Sequence, residues 1–125
     1  MSAYEPLSFR VLTTLSAQRV VEMNGTANTV ALCTSSSLFP VGITLDTVRD
    51  TSGAISVAVA GIAKLYFNDT VTSGGLVGVD DNGMGVPFTA ATVTAAYVGV
   101  LIGPAVAATG TIADVLVRPG QASSG

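Results

Sequence analysis

The side chains able to do chemistry in this chain are few: one lysine, Lys64, one cysteine, Cys33, eight acidic residues and no histidine. Without an imidazole the Ser-His and Cys-His nucleophile pairs cannot be assembled. A Ser-Lys dyad must use Lys64, which has no Ser-x-x-Lys spacing. Asp80-Asp81 is the one adjacent carboxylate pair that invites an acid/base reading, but neighbours in a strand point to opposite faces. The pair also precedes Asn82-Gly83, so a solvated hairpin tip is expected. It lacks the Asp-x-Asp spacing and distal Glu of a calcium loop. A lone cysteine forms no internal disulfide, and the absence of histidine removes the usual zinc and iron sites. Gly83-Met84-Gly85 has neither the third glycine nor the following helix of a phosphate loop. Asn24-Gly25-Thr26 and Asn68-Asp69-Thr70 match glycosylation acceptors by letter only. No enzyme, no metal and no cofactor is expected.

The elements that would have to position such residues are strands. Val41-Gly42-Ile43-Thr44-Leu45 leads to a turn at Gly53, and Val98-Gly99-Val100-Leu101-Ile102 leads to a turn at Gly110. In both copies the second glycine lies eleven positions after the first. Both continue into apolar, β-branched sequence, Ile55-Val59 and Ile112-Val117, so each copy reads as a β-hairpin. Asn24-Gly25 and Asn82-Gly83 are further hairpin signals, because both residues tolerate the positive φ of tight turns. They predict strands near Arg19-Met23 and Thr29-Thr34, and near Leu76-Val79 and Gly85-Phe88. Between them, period two places Ala63, Leu65 and Phe67 on one face and Ile62, Lys64 and Tyr66 on a wetter one. Thr89-Ala96 is a weak candidate for a short helix.

Val, Thr and Ile dominate the composition, a class that suits a pleated surface. With 14 glycines and 5 prolines as punctuation, the chain reads as all-β: a single small β-barrel or β-sandwich of short antiparallel hairpins. Its 125 residues suffice for one domain. The expected organisation is an extended N-terminal arm over residues 1–18, a barrel over 19–118 and a flexible tail over 119–125.

Charged residues make up 10% of the chain against 49% hydrophobic ones, and mean hydropathy is +0.63. A typical soluble domain carries about 25% charged residues, so something besides water is expected to cover part of the surface. A membrane is not that cover: the longest apolar run, Ala95 to Ala108, is interrupted by Gly99, Gly103 and Pro104, and falls short of the ~20 residues of a spanning helix. The first residues lack a basic region followed by an apolar core, so no secretion signal is expected. Net charge of −3 without a basic stripe argues against nucleic acid. Protein is the expected partner. Tyr4 and Phe9 lie in the arm without an evident core of their own; with Leu7 and Arg10 they are the candidate contacts on a partner surface, packing back on the barrel being the other outcome.

In order and spacing, several of these pieces resemble the short capsid decoration, or cement, proteins of tailed bacteriophages. The resemblance lies in Val41-Gly42-Ile43, the strand after Gly53, Val59-Ala60-Gly61-Ile62-Ala63-Lys64, Val71-Thr72-Ser73-Gly74-Gly75-Leu76-Val77, Asp80-Asp81-Asn82-Gly83, Tyr97-Val98-Gly99-Val100-Leu101 and Val115-Leu116-Val117-Arg118-Pro119-Gly120. It spans roughly residues 30 to 120 and leaves the arm unmatched. It implies a β-tulip-like fold and a non-enzymatic virion protein on the capsid outer surface, present in the host cytoplasm during assembly. Its implied partners are the major capsid protein and itself, as a homotrimer or a dimer, and its implied role is to stabilise the expanded lattice. The alternative class is a virion-displayed β-barrel binding module for carbohydrate or a host surface, disfavoured by the absence of Trp and the scarcity of Tyr.

Overall fold

In a computed structural model the residues described are 4–11, 15–23, 25, 27–34, 40–45, 47, 54–88, 95–105 and 110–122. They form nine strands and no helix: β1 (Tyr4–Val11), β2 (Val20–Met23), β3 (Thr29–Leu32), β4 (Pro40–Thr44), β5 (Ala54–Tyr66), β6 (Leu76–Val79), β7 (Gly85–Pro87), β8 (Ala95–Leu101) and β9 (Ile112–Ala122). The strand order is β1-β3-β2-β4-β5-β9-β8-β6-β7, with β1 also paired to β5. That extra pairing closes β1, β3, β2, β4 and β5 into a five-stranded barrel. The fold is therefore all-β and barrel-like, with four further strands continuing from β5 as an appended sheet.

Both Val-Gly hairpins form. Ile43 pairs with Ala58 across β4 and β5, and Val100 pairs with Leu116 across β8 and β9. The repeated glycine does the same work in each copy. A Cβ on Gly42 would strike the carbonyl oxygen of Ala58, and a Cβ on Gly99 that of Leu116. Only glycine lets the two backbones come this close.

Strand β5 is continuous where the sequence suggests two segments. Its first half pairs with β1 and β4 and its second half with β9. The change of partner coincides with a bulge, since Glu5 pairs with Ala60 but Pro6 with Ala58, and with φ +85° at Gly61. One extra residue turns the side chains over. Accordingly Ile55 and Val57 face one core with Val11, Leu15, Val21 and Val30. Ala63 and Leu65, of the same parity, face the other with Phe67, Val77, Val98, Leu101, Val115 and Val117. The first core fills the barrel. The second lies between the outer side of the β2-β4-β5 wall, through Val20, Ile43 and Ala58, and the appended sheet.

Several segments differ from the sequence expectation. Residues 4–11, expected within an extended arm, are strand β1, zipped to β5 from Tyr4 to Arg10 and to β3 in parallel at Arg10 and Val11. Residues 119–122, expected as flexible tail, continue β9 against β8 as far as Ala122 opposite Ala95. Pro119 is accommodated because it falls in a register shift between the Val117 and Gly120 pairings, where its missing N–H interrupts no ladder bond. The Asp80-Gly83 turn is docked rather than free: the Val20 N–H donates to the Gly83 carbonyl, 2.8 Å. Gly83 is buried beside Leu32. β2 ends at Met23 and β3 begins at Thr29, further apart than the two-residue turn read from Asn24-Gly25 requires, with positive φ at Gly25 and Asn28; Asn24 itself lies outside the described residues. Of the helix candidate, Ala95 and Ala96 belong to β8, and Thr89–Thr94 lie outside the described residues.

Candidate functional site

Among the described residues no three His, Cys, Asp or Glu side chains converge on a possible metal position. Each group singled out for chemistry has a structural occupation. Asp80 Oδ1 accepts the N–H groups of Asn82 (2.8 Å) and Met84 (2.9 Å), while Oδ2 accepts from Asn68 Nδ2 (2.8 Å). These bonds hold the β6-β7 turn in shape. Lys64 Nζ pairs with Asp114 Oδ1 across β5 and β9 at 3.0 Å. Cys33 is buried in the larger core.

A cavity of about 430 Å³ opens beside that ion pair, lined by Gln18, Thr44, Leu45, Ile62, Ala63, Lys64 and Asp114. Gln18 has φ 63°, unusual for a residue with a side chain. Two backbone bonds hold it there: its N–H donates to Thr44 and its carbonyl accepts from Tyr66. Thr44 is buried yet fully used, with Oγ1 donating to the Ser16 carbonyl (2.8 Å) and accepting from the Arg19 N–H (3.0 Å). Arg19 in turn lies 4.4 Å over the Tyr66 ring, a cation–π contact. These contacts tie the segment entering β2 to β4 and β5.

The four contact candidates share β1. Leu7, opposite Val57, is 54% exposed, and Arg10 is exposed. Phe9 packs back on the barrel core. Tyr4 pairs through its backbone with Gly61, and its side chain lies outside the described residues. Leu7 and Arg10 are thus the exposed candidates, on opposite faces of β1, with Leu7 on the side of Phe9 and Val57.

A larger surface was not singled out by sequence. On the outer side of the appended sheet, Ile62 pairs with Leu116, Leu116 with Val100, and Val100 with Leu76. One aliphatic row therefore crosses β5, β9, β8 and β6. Ile102 and Ile112 lie on the same side. Of six large hydrophobic side chains left exposed among the described residues, four are here: Ile62, Leu76, Ile102 and Ile112, each 38–45% open. Among the described residues the charges on this side include the Lys64–Asp114 pair, Arg118, and Arg19 over the Tyr66 ring. The alternation was readable in β5, where Lys64 marks the wetter face. The row across four strands was not, because it depends on register between distant segments.

A closed five-stranded barrel extended by a sheet through a shared strand defines the class of fold. No family model matches the chain, and no curated protein does. Among solved structures the chain is similar to the crystal structure of the head fiber gp8.5 N base in bacteriophage phi29, with a TM-score of 0.70 over 91% of this chain and 93% of that one. Sequence identity is 10%, so the likeness is one of fold.

Proposed function

We propose that this chain is a structural protein of a phage virion that sits on the outer surface of the head and stabilises the expanded capsid lattice as a homo-oligomer, a trimer or a dimer. The observation that carries the reading is the correspondence, over nine-tenths of both chains, with the base of a phage head fiber. The sparse charge of the chain, 10% of residues, supports it independently, since a surface short of charge is suited to be covered by protein. The mechanism is mass action. A protein that binds the assembled lattice but not dissociated subunits shifts the equilibrium toward the lattice, and many copies sum small contributions.

The test is co-sedimentation of the purified chain with expanded and unexpanded heads built from the same phage's major capsid protein. Selective pelleting with expanded heads, and an increase in the temperature at which they disrupt, is the expected result. A chain left in the supernatant with both forms, or one that binds a glycan array and no head, refutes the reading. Deleting the first fifteen residues is a poor probe of attachment because it removes β1 and opens the barrel. Leu7→Glu with Arg10→Glu leaves the strand pairing in place and is expected to lower occupancy; unchanged occupancy removes β1 from the contact.

A further inference from the structure

We propose that the outer side of the appended sheet is the self-association surface, and that two copies pack it face to face about a two-fold axis along the Ile62-Leu116-Val100-Leu76 row. This deepens the homo-oligomer part of the function proposed above and rests on it. The argument begins with β9. Its outward residues Asp114, Leu116 and Arg118 place a negative and a positive side chain two positions either side of an aliphatic one. A two-fold axis lying along the row keeps each strand over its own copy and reverses its direction. Leu116 then meets Leu116 of the second copy. Asp114 faces Arg118 of the second copy, and Arg118 faces Asp114, giving two equivalent ion pairs. Lys64 holds Asp114 Oδ1, and a carboxylate has acceptor sites left for a second cation.

The same operation matches a knob to a hole. Ile102, 45% exposed, is level with Asp114, whose carbonyl accepts its N–H at 3.1 Å. Reversal about the row carries it over the opposite end of β8. There a depression of about 260 Å³ is lined by Leu76, Tyr97, Val100, Arg118 and Pro119. Aligned sheet packing at ~10 Å and ~30° brings such faces into contact. A heterologous ring would use none of this self-complementarity, because it joins two different patches.

Sedimentation equilibrium of the full chain over a range of concentrations tests it, with Asp114→Arg, Arg118→Asp and the double reversal. The wild type is expected at twice the chain mass of 12.5 kDa. Each single reversal turns two attractive pairs into two repulsive ones and raises the dissociation constant roughly 10- to 100-fold. The double reversal is made with Lys64→Ala, since Asp114→Arg alone would set a second cation against Lys64; it restores both pairs between copies and returns the constant to within about threefold of Lys64→Ala alone, which also shows that the substituted chains fold. Ile102→Glu, with circular dichroism to confirm the fold, is expected to give monomer, and Leu7→Glu, on the barrel, to leave the mass unchanged. A wild type at one or three chain masses overturns the proposal, as does a double reversal no tighter than the single ones. Capsid binding is scored separately. Heads that take up a monomeric wild-type chain refute this interface and leave the capsid reading standing; a dimer that pellets with no head does the reverse.

Discussion

Gly42→Ala and Gly99→Ala probe the feature that the two hairpins share. In both, the added Cβ would sit on a carbonyl oxygen of the partner strand, Ala58 or Leu116, and no rotamer change relieves it because both groups belong to the backbone. The partner strand must retreat by about 1 Å, which takes N–H···O bonds of ~2.9 Å out of range. Two lost ladder bonds at ~1 kcal/mol each and an overpacking cost of ~1–3 kcal/mol outweigh the ~0.4–1 kcal/mol gained by restricting the unfolded chain. Each substitution is therefore expected to cost about 3 kcal/mol, a large share of the ~5–15 kcal/mol that holds a domain, and to lower Tm by about 10 °C. Urea unfolding followed by circular dichroism reads this as a lower midpoint at unchanged slope. Gly74→Ala is the control. Gly74 has φ +84° and nothing within 4 Å of its missing Cβ, so it carries only the left-handed penalty of ~1–2 kcal/mol. If Gly42→Ala and Gly99→Ala cost no more than Gly74→Ala, close approach is not why the repeat has glycine.

Asp80→Ala removes the acceptor for two turn N–H groups and the Asn68 amide and is expected to cost ~1–3 kcal/mol, read by the same unfolding assay and by faster hydrogen exchange at Met84. Thr44→Val keeps the shape but leaves the Ser16 carbonyl and the Arg19 N–H without their partner; a loss of ~1–3 kcal/mol is expected, and one below about 0.5 kcal/mol would show that solvent replaces both bonds. Lys64→Ala breaks an ion pair whose side chains are 64% and 44% exposed, so thermal melting is expected to detect less than ~0.5 kcal/mol.

What the sequence made legible was local. The two Val-Gly hairpins, the Leu76-Val79 and Gly85-Phe88 pair, and the split of Ala63, Leu65 and Phe67 from Ile62, Lys64 and Tyr66 all follow from period-two alternation and turn residues a few positions apart. Barrel closure was hidden because it depends on β1 meeting β5 some fifty residues away, in a segment whose own alternation is broken by Pro6 and by polar residues. Pro119 looked like the end of regular structure because proline withholds an N–H; in a bulge that N–H has no partner to lose. Asp80 and Asp81 looked alike as letters. The structure separates them, because Asp80 turns back onto its own loop while Asp81 is exposed.

The shared strand decides where binding can take place. Because β5 turns its side chains over at Gly61, it gives Ile55 and Val57 to the barrel core and Ala63 and Leu65 to the second core. The adjacent residues Val20 and Val21 divide in the same way, so the β2-β4-β5 wall is buried on both sides. A wall dry on both faces offers no surface to a partner, and its cost in conformational entropy is met by burial inside one chain. Among the described residues, exposed side chains remain on β1, with Leu7 and Arg10 on its opposite faces, and on the outside of the appended sheet, with its aliphatic row. The row runs in register across four strands and carries opposite charges either side of Leu116, a pattern that a copy of itself can satisfy. β1 offers one exposed leucine and, on its other face, an exposed arginine, much less apolar surface than the row. The doubly buried wall thus holds the exposed row of the appended sheet apart from the exposed residues of β1.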